Sequence, residues 1–147
     1  MKSALLLALR LSTGLLLVIW GLIKAIAGET AIEVSDKFYG GALSAQNLQA
    51  ILGWAEVVLG LLIILGLFRK ITYSIQAIIL VGGALAIWKY ILDPFGMYLV
   101  DEASRQVLFF PSFTVAVGSL ILLAFMSEDR IALDRILFAS KAASKAD

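Results

Sequence analysis

The stretch LQAILGWAEVVLGLLIILGLF, residues 48–68, decides the fold of this chain. At a rise of about 1.5 Å per residue it is long enough to cross a hydrocarbon core of about 30 Å as a helix. Glu56 is its only charged residue. A carboxylate at the centre of a membrane-spanning helix costs roughly 2.5–3.5 kcal/mol on insertion scales. We therefore expect Glu56 to face protein, water or a ligand rather than lipid.

The rest of the chain has the same apolar character. It has 147 residues, of which 61% are hydrophobic, whereas soluble domains average about 45–50%. So small a domain cannot hide that excess in a soluble core. The composition predicts an all-α integral membrane four-helix bundle forming a single domain. Its spans are expected at residues 4–27, 48–68, 71–92 and 107–126.

Charge asymmetry between the loops predicts the orientation. The loops 28–46 and 93–106 are acidic, whereas the turn Arg69-Lys70 and both termini are basic. Because basic residues stay on the cytoplasmic side, we expect both termini to be cytoplasmic, in a prokaryotic cytoplasmic membrane. Ala25-Ile26-Ala27 also resembles a signal-peptidase site, so cleavage of residues 1–27 stands as an alternative.

The tail after the fourth span is expected to form a short amphipathic helix over residues 127–140. Ser127 is suited to cap it, and Glu128 and Asp129 suit its first turn. Such a helix would lie on the cytoplasmic membrane surface as an anchor, or would dock a partner.

Two matching stripes of small and charged residues run along the first and second predicted spans. Residues spaced by three and four share one face of a helix, and glycines on such a face let two membrane helices approach closely. The sequence predicts that the two stripes pack together or share a cavity. The first stripe holds Arg10, Gly14, Gly21 and Lys24, and the second holds Gln49, Gly53, Glu56 and Gly60.

These stripes define a predicted buried polar or ligand site. We assign to it Arg10, Lys24 and Glu56, with Trp54 and Lys89 as neighbours. One interpretation is a structural ion pair of Glu56 with Arg10 or Lys24. The other is a carboxyl group that carries a proton or binds a polar head group. The tryptophans likewise fit an interfacial belt or the wall of a ligand pocket.

The absence of two residue types excludes much chemistry. The chain contains no cysteine and no histidine, so it cannot build thiol–disulfide, iron–sulfur, Cys/His zinc or serine–histidine centres. No metal site and no covalently bound cofactor are expected. The formal net charge of +1, without a basic patch, does not indicate nucleic acid as a partner.

Three short segments resemble the first-helix and second-helix patterns of the DoxX family. They are ALRLSTG at residues 8–14, WGLIK at 20–24 and EVVLG at 56–60, and the resemblance extends over residues 8–92. It implies a four-helix membrane protein related to the membrane subunits of a quinone-reducing thiosulfate oxidoreductase. It also implies that Arg10, Lys24 and Glu56 are the functional positions, although the chain lacks the cysteine that a thiol-redox member needs.

From this resemblance we expect the membrane subunit of a quinone-linked redox or detoxification complex. A quinone or lipid would bind beside the polar site, and a redox partner protein would supply the electrons, so the chain is not expected to be catalytic alone. Two alternatives stand beside this function. One is a non-enzymatic scaffold or assembly factor, and the other is a small proton-coupled lipid or solute carrier, which would need a homo-oligomer.

Overall fold

The structure, a computed structural model, describes residues 1–38 and 46–137. This part of the chain is helical and contains no β-strand. Two 3₁₀ turns, Glu102–Ser104 and Val107–Phe109, lie in the last long loop. The α-helices in this part of the chain are α1 (Lys2–Ile26), α2 (Gly28–Phe38), α3 (Gln46–Leu65), α4 (Arg69–Ala86), α5 (Trp88–Leu92) and α6 (Pro111–Ala124).

Helices α1 and α3 pack backbone to backbone through the predicted glycines. A Cβ atom added to Gly21 would lie 2.6 Å from the carbonyl oxygen of Gly53, and one added to Gly60 would lie 2.7 Å from that of Gly14. Real Cβ atoms do not approach that closely. The two helices therefore touch at two glycine pairs, one turn or more apart, where any side chain would force them apart.

Helix α4 packs on α6, and this second pair covers the first. Part of the space between the pairs is filled by apolar side chains around Tyr73, which is fully buried. Close packing of such side chains gives the interior its rigidity. The buried members of this cluster are Leu6, Leu17, Leu59, Ile63, Tyr73 and Leu122.

One end of the molecule, which we call the tail end, gathers the first turn of α1, the turn 66–68 and the segment 125–137. Ser3 Oγ donates a hydrogen bond to the carbonyl oxygen of Glu128 (3.0 Å). Asp134 accepts hydrogen bonds from the backbone N–H groups of Phe68 (2.9 Å) and Arg69 (3.0 Å). Because α1 starts, α3 ends, α4 starts and α6 ends here, successive long helices run in opposite directions.

The opposite end, the loop end, is closed by α2, which lies within the predicted acidic loop 28–46. Ala31 and Ser35, one turn apart, are buried, whereas Glu33 is exposed, so α2 is an amphipathic helix lying on the other helices. Phe38 at its end makes edge-to-face contacts with Tyr90 (ring centroids 5.4 Å apart) and Phe109 (4.8 Å). These contacts fix α2 to α5 and to the second 3₁₀ turn.

Within the described residues, three helices are long and apolar enough to cross a membrane: Lys2–Ile26, Leu48–Leu65 and Val107–Ala124. The predicted span 71–92 differs, because the helix breaks at Ile87. There φ is −104° and ψ is 21°, and the N–H group of Ile87 reaches the carbonyl oxygen of Gly83 only at 3.4 Å. The Ile87 side chain is 2% exposed, so the break turns it inward between α4 and α5.

The tail also differs from its prediction. Residues 127–132 form no helix, a helical turn covers only 133–137, and the remainder of the predicted helix 127–140 lies outside the described residues. The physical reason is Asp129, whose carboxylate is fully buried rather than placed on the first turn of a surface helix. To bury Asp129, the segment 125–137 must pack across the tail end instead of forming a surface helix.

Candidate functional site

Lys24 of α1 and Glu56 of α3 form an ion pair in which the Lys24 ammonium donates a hydrogen bond to Glu56 Oε1. Each residue lies three positions beyond a glycine of the Gly21–Gly53 crossing. A Cβ atom added to Gly53 would lie 3.0 Å from Lys24 Cβ, so Lys24 lies beside Gly53. Glu56 is three residues further along α3, about 4.5 Å along the helix axis, and the long side chains close this gap. The side chains are only 22% and 12% exposed. The close approach of α1 and α3 at these glycines thus brings the Lys24 and Glu56 side chains into contact.

A cavity of about 1010 Å³ lies beside this pair, between the α1–α3 pair and the α4–α6 pair and beneath α2. Its wall is mostly aliphatic and includes Leu17, Leu59 and Ile79. The part of the wall on α4 includes Gly82 and Gly83. A Cβ atom added to either glycine would have no neighbouring atom within 4 Å. Ligand sites usually have volumes of about 300–1,000 Å³ and apolar walls, so the cavity suits a lipophilic molecule.

The polar part of the cavity wall is small and lies on one side. It consists of the Lys24–Glu56 pair together with Gln49, Ser35 and Ser112. In Glu56 the second carboxylate oxygen, Oε2, is buried and accepts no hydrogen bond from any described residue. Buried polar atoms normally have a partner. Glu56 Oε2 can therefore accept a hydrogen bond from a ligand, at the boundary between the apolar and the polar parts of the cavity wall.

The structure brings together only two of the five predicted site residues. Arg10 lies at the tail end, away from Glu56. Trp54 is 54% exposed and faces away from the cavity. Lys89 is exposed on α5, with its ammonium 5.9 Å from the centroid of the Trp88 ring. Trp20 contributes to the cavity wall instead, so one of the three tryptophans fits the pocket interpretation and two do not.

Arg10 belongs to a second polar cluster, the tail-end cluster, formed by Arg10, Arg69, Tyr73 and Asp129. The Asp129 carboxylate is fully buried and accepts hydrogen bonds from Arg10 Nη1 (2.8 Å) and from the Tyr73 hydroxyl (2.7 Å). Arg69 Nη1 donates to the backbone carbonyl oxygen of Asp129 (2.7 Å). Arg10 Nη2 donates to that of Ile131 (2.7 Å). This cluster joins α1, α4 and the tail, and it is an anchor within the fold rather than part of the cavity.

A third carboxylate organises the loop end. Asp93 accepts hydrogen bonds from four consecutive backbone N–H groups, those of Met97 (2.9 Å), Tyr98 (2.7 Å), Leu99 (2.6 Å) and Val100 (3.3 Å). These bonds, led by that from Met97, hold the pKa of Asp93 well below its usual range. The ionised carboxylate therefore orders the loop that follows α5.

This arrangement predicts a pH-dependent loop. Because the folded-state pKa of Asp93 lies below the unfolded value of about 3.9, the ordering is complete above that value and is lost as the pH falls through the folded-state pKa. Asp93→Asn should lower the protection of the backbone amides of residues 97–100 against hydrogen exchange at pH 7, after correction for intrinsic exchange rates. The difference from the wild-type protein should shrink below about pH 4.

Asp101→Asn is the matched control, since Asp101 lies in the same loop and is exposed. It should leave the exchange of residues 97–100 unchanged. Protection of these amides that is unaffected by Asp93→Asn would contradict the assigned role of Asp93.

No group of three or more acidic, cysteine or histidine side chains that would suit a metal ion occurs in residues 1–38 and 46–137. Comparison of the chain with protein-family models, with curated proteins and with solved structures found no match. The resemblance to the DoxX family therefore stays a prediction from short motifs. Fold and site together define an all-helical protein with three helices able to cross a membrane and an apolar cavity beside a partly buried ion pair.

Proposed function

We propose that the protein is an integral membrane four-helix bundle in which α1, α3, the bent α4–α5 unit and α6 each cross the bilayer. Residues 69–92 measure about 36 Å as a helix, which is long enough to cross despite the break at Ile87. Large apolar side chains on the outside of the helices, such as Ile51, Ile78 and Leu85, are exposed as lipid contact requires. The basic turn after α3 favours a cytoplasmic tail end.

The protein, in this proposal, binds a quinone within the membrane, as the membrane subunit of a redox or detoxification complex of the DoxX kind. The observation that carries this function is the large apolar cavity with a partly buried ion pair, Lys24–Glu56, in its wall. A quinone needs an apolar slot for its ring and chain, with a few polar groups to hold the head. Lys24 supplies the donor for a quinone oxygen, and Glu56 supplies a proton acceptor beside it.

Electron transfer requires a partner protein in this scheme. The chain has no cysteine or histidine to bind an iron–sulfur cluster or to form a redox-active disulfide. The polar groups of the cavity therefore bind and orient the quinone and handle its protons. The electrons come from a subunit docked at one of the two ends.

The Gly83→Leu variant tests this function. Because Gly83 lies in the cavity wall and nothing lies within 4 Å of a Cβ placed there, we expect a leucine side chain at this position to extend into the cavity. Wild-type protein purified from native membranes in mild detergent should retain about one quinone per chain after solvent extraction. In Gly83→Leu the occupancy should fall about tenfold, which for a nearly saturated site corresponds to about hundredfold weaker binding, or about 2.8 kcal/mol in binding free energy.

Leu85→Phe is the control for a bulkier side chain on the same helix, since Leu85 is 65% exposed and points away from the cavity. It should retain the quinone. Wild-type protein that carries neither quinone nor a redox partner would exclude the proposed function.

The loop end favours a second candidate, a scaffold that docks another protein. The loop held by Asp93 displays Phe95, Met97 and Tyr98, which are 64%, 66% and 86% exposed. A contiguous exposed apolar surface often marks an interaction site. A stable complex that survives the filling of the cavity by Gly83→Leu but not Tyr98→Ser would favour this candidate.

A further inference from the structure

We propose that the cavity selects molecules whose head group is a hydroxyl, such as a quinol or another lipophilic alcohol or phenol. This inference rests on the proposed function and names the chemical form that the site prefers. Its basis is the hydrogen-bonding inventory of the Lys24–Glu56 pair. An ammonium group has three N–H donors and a carboxylate has two acceptor oxygens. In the structure the pair uses one N–H donor and one oxygen for itself.

A hydroxyl group matches both members of such a pair. It donates its proton to the carboxylate and accepts a hydrogen bond from the ammonium, whereas a carbonyl oxygen only accepts. A quinone therefore uses Lys24 alone and leaves the acceptor capacity of Glu56 unused. The hydroxyl of a quinol or phenol uses Lys24 and Glu56 together.

The surroundings of the pair make this difference large. With Lys24 22% and Glu56 12% exposed, water competes little for the remaining donors and acceptors, and hydrogen bonds to charged groups are strengthened. Leu17, Leu59 and Ile79 line the rest of the cavity and suit the ring and the apolar chain. A single hydroxyl head thus forms hydrogen bonds with both charged groups of the pair, while the aliphatic wall contacts the rest of the molecule.

Binding measured in lipid nanodiscs under anaerobic conditions tests the inference. Trp54→Phe and Trp88→Phe leave Trp20, which contributes to the cavity wall, as the one fluorescent reporter. The probes are a short-chain benzoquinol, the matching quinone, the dimethyl ether of that quinol and a long-chain alkanol. We expect the quinol to quench Trp20 with a dissociation constant at least tenfold lower than those of the quinone and the ether, since a hydrogen bond to a charged group is worth that much.

The four probes are compared on one and the same protein, the Trp54→Phe and Trp88→Phe variant, whose Lys24–Glu56 pair is intact, so their relative affinities do not depend on a change at the site. Glu56→Gln adds a second readout, because an amide donates as well as accepts and should bring the quinol-to-quinone ratio close to one. Gln76→Leu, on the fully buried side of α4 outside the cavity wall, is the control and should keep the ratio.

The outcomes separate the inference from the function on which it rests. Equal affinity for the quinol and its dimethyl ether overturns the hydroxyl preference, while quinone binding itself upholds the proposed function. Equal affinity for the alkanol and the quinol supports the hydroxyl preference and contradicts the assignment to quinones. Binding of none of the four probes overturns both.

Discussion

Replacing Asp129 with asparagine should lower the free energy of unfolding by about 3–5 kcal/mol, because the variant leaves a buried guanidinium group without its counterion. Arg10 is 3% exposed and Asp129 is fully buried, with 2.8 Å between the guanidinium and the carboxylate. The Tyr73 hydroxyl donates to the same oxygen. Denaturant titration of the protein in detergent micelles measures the loss.

The control for Asp129→Asn is the neighbouring residue. Glu128 pairs with Lys2 at 3.1 Å, but these side chains are 37% and 81% exposed. Exposed pairs contribute about 0–1 kcal/mol, so Glu128→Gln should change the stability by no more than that. Similar losses in the two variants would contradict the role of Asp129 as the buried counterion.

A double variant refines the test of the buried pair. Arg10→Met combined with Asp129→Leu removes both charges, and apolar replacements of a buried pair are often neutral or stabilising. We expect the double variant to lose less stability than the sum of the losses in Arg10→Met and Asp129→Leu measured separately. Such non-additivity is the signature of two groups that interact directly.

Gly53→Ala should destabilise the protein by about 1–3 kcal/mol, the usual effect of overpacking a tight contact. The added methyl group would lie 2.6 Å from the carbonyl oxygen of Gly21 and 2.6 Å from the backbone nitrogen of Ala25. Because both neighbours are backbone atoms, the helices themselves must separate. That separation should also increase the distance between the Lys24 ammonium and the Glu56 carboxylate, which lie beside the crossing. Denaturant titration gives the first effect, and the affinity for a quinol probe gives the second.

Gly83→Ala is the matched control for the glycine crossing, with the same chemical change on another helix. Nothing lies within 4 Å of its added methyl group, and alanine is favoured over glycine in helices by roughly 1 kcal/mol. This variant should be neutral or slightly stabilised. A Gly53→Ala protein as stable as Gly83→Ala would mean that the α1–α3 crossing is looser than the structure describes.

The contact between α1 and α3 could be predicted from the sequence because its determinants are local. Glycines and charges repeat at helical spacing on each of two apolar segments, so each stripe defines a face without reference to the rest of the chain. The structure places Gly21 against Gly53 and joins Lys24 to Glu56 on those faces. Apolar length likewise predicted α1, α3 and α6 as helices able to cross a membrane.

The position of Arg10 could not be predicted, because its partner has no local signature. Ser127, Glu128 and Asp129 equally suit the start of a surface helix, and helical spacing does not report a contact with a residue far away in sequence. Burial of Asp129 decides between the two arrangements, and only the tertiary structure shows it. Arg69 was predicted only as a topogenic charge, yet it donates to the backbone of Asp129.

The break at Ile87 could not be predicted from the sequence for a related reason. Residues 71–92 are nearly free of charge, so composition indicates one continuous helix. Gly82 and Gly83 precede the break and weaken the helix locally. The contacts that stabilise α5, such as Tyr90 on Phe38, come from α2. The acidic composition of α2 had indicated a loop.

The long sequence separation of the buried ion pair has a consequence for biosynthesis. Arg10 and Asp129 are 119 positions apart, so the ribosome has made all of α1 to α6 before the counterion of Arg10 exists. Until then the guanidinium group of the first helix must be hydrated or held by the insertion machinery. The bundle is thus fully folded only when the segment 125–137 packs against α1 and α4, and a chain truncated before Asp129 should be recognised by quality-control proteases as misfolded.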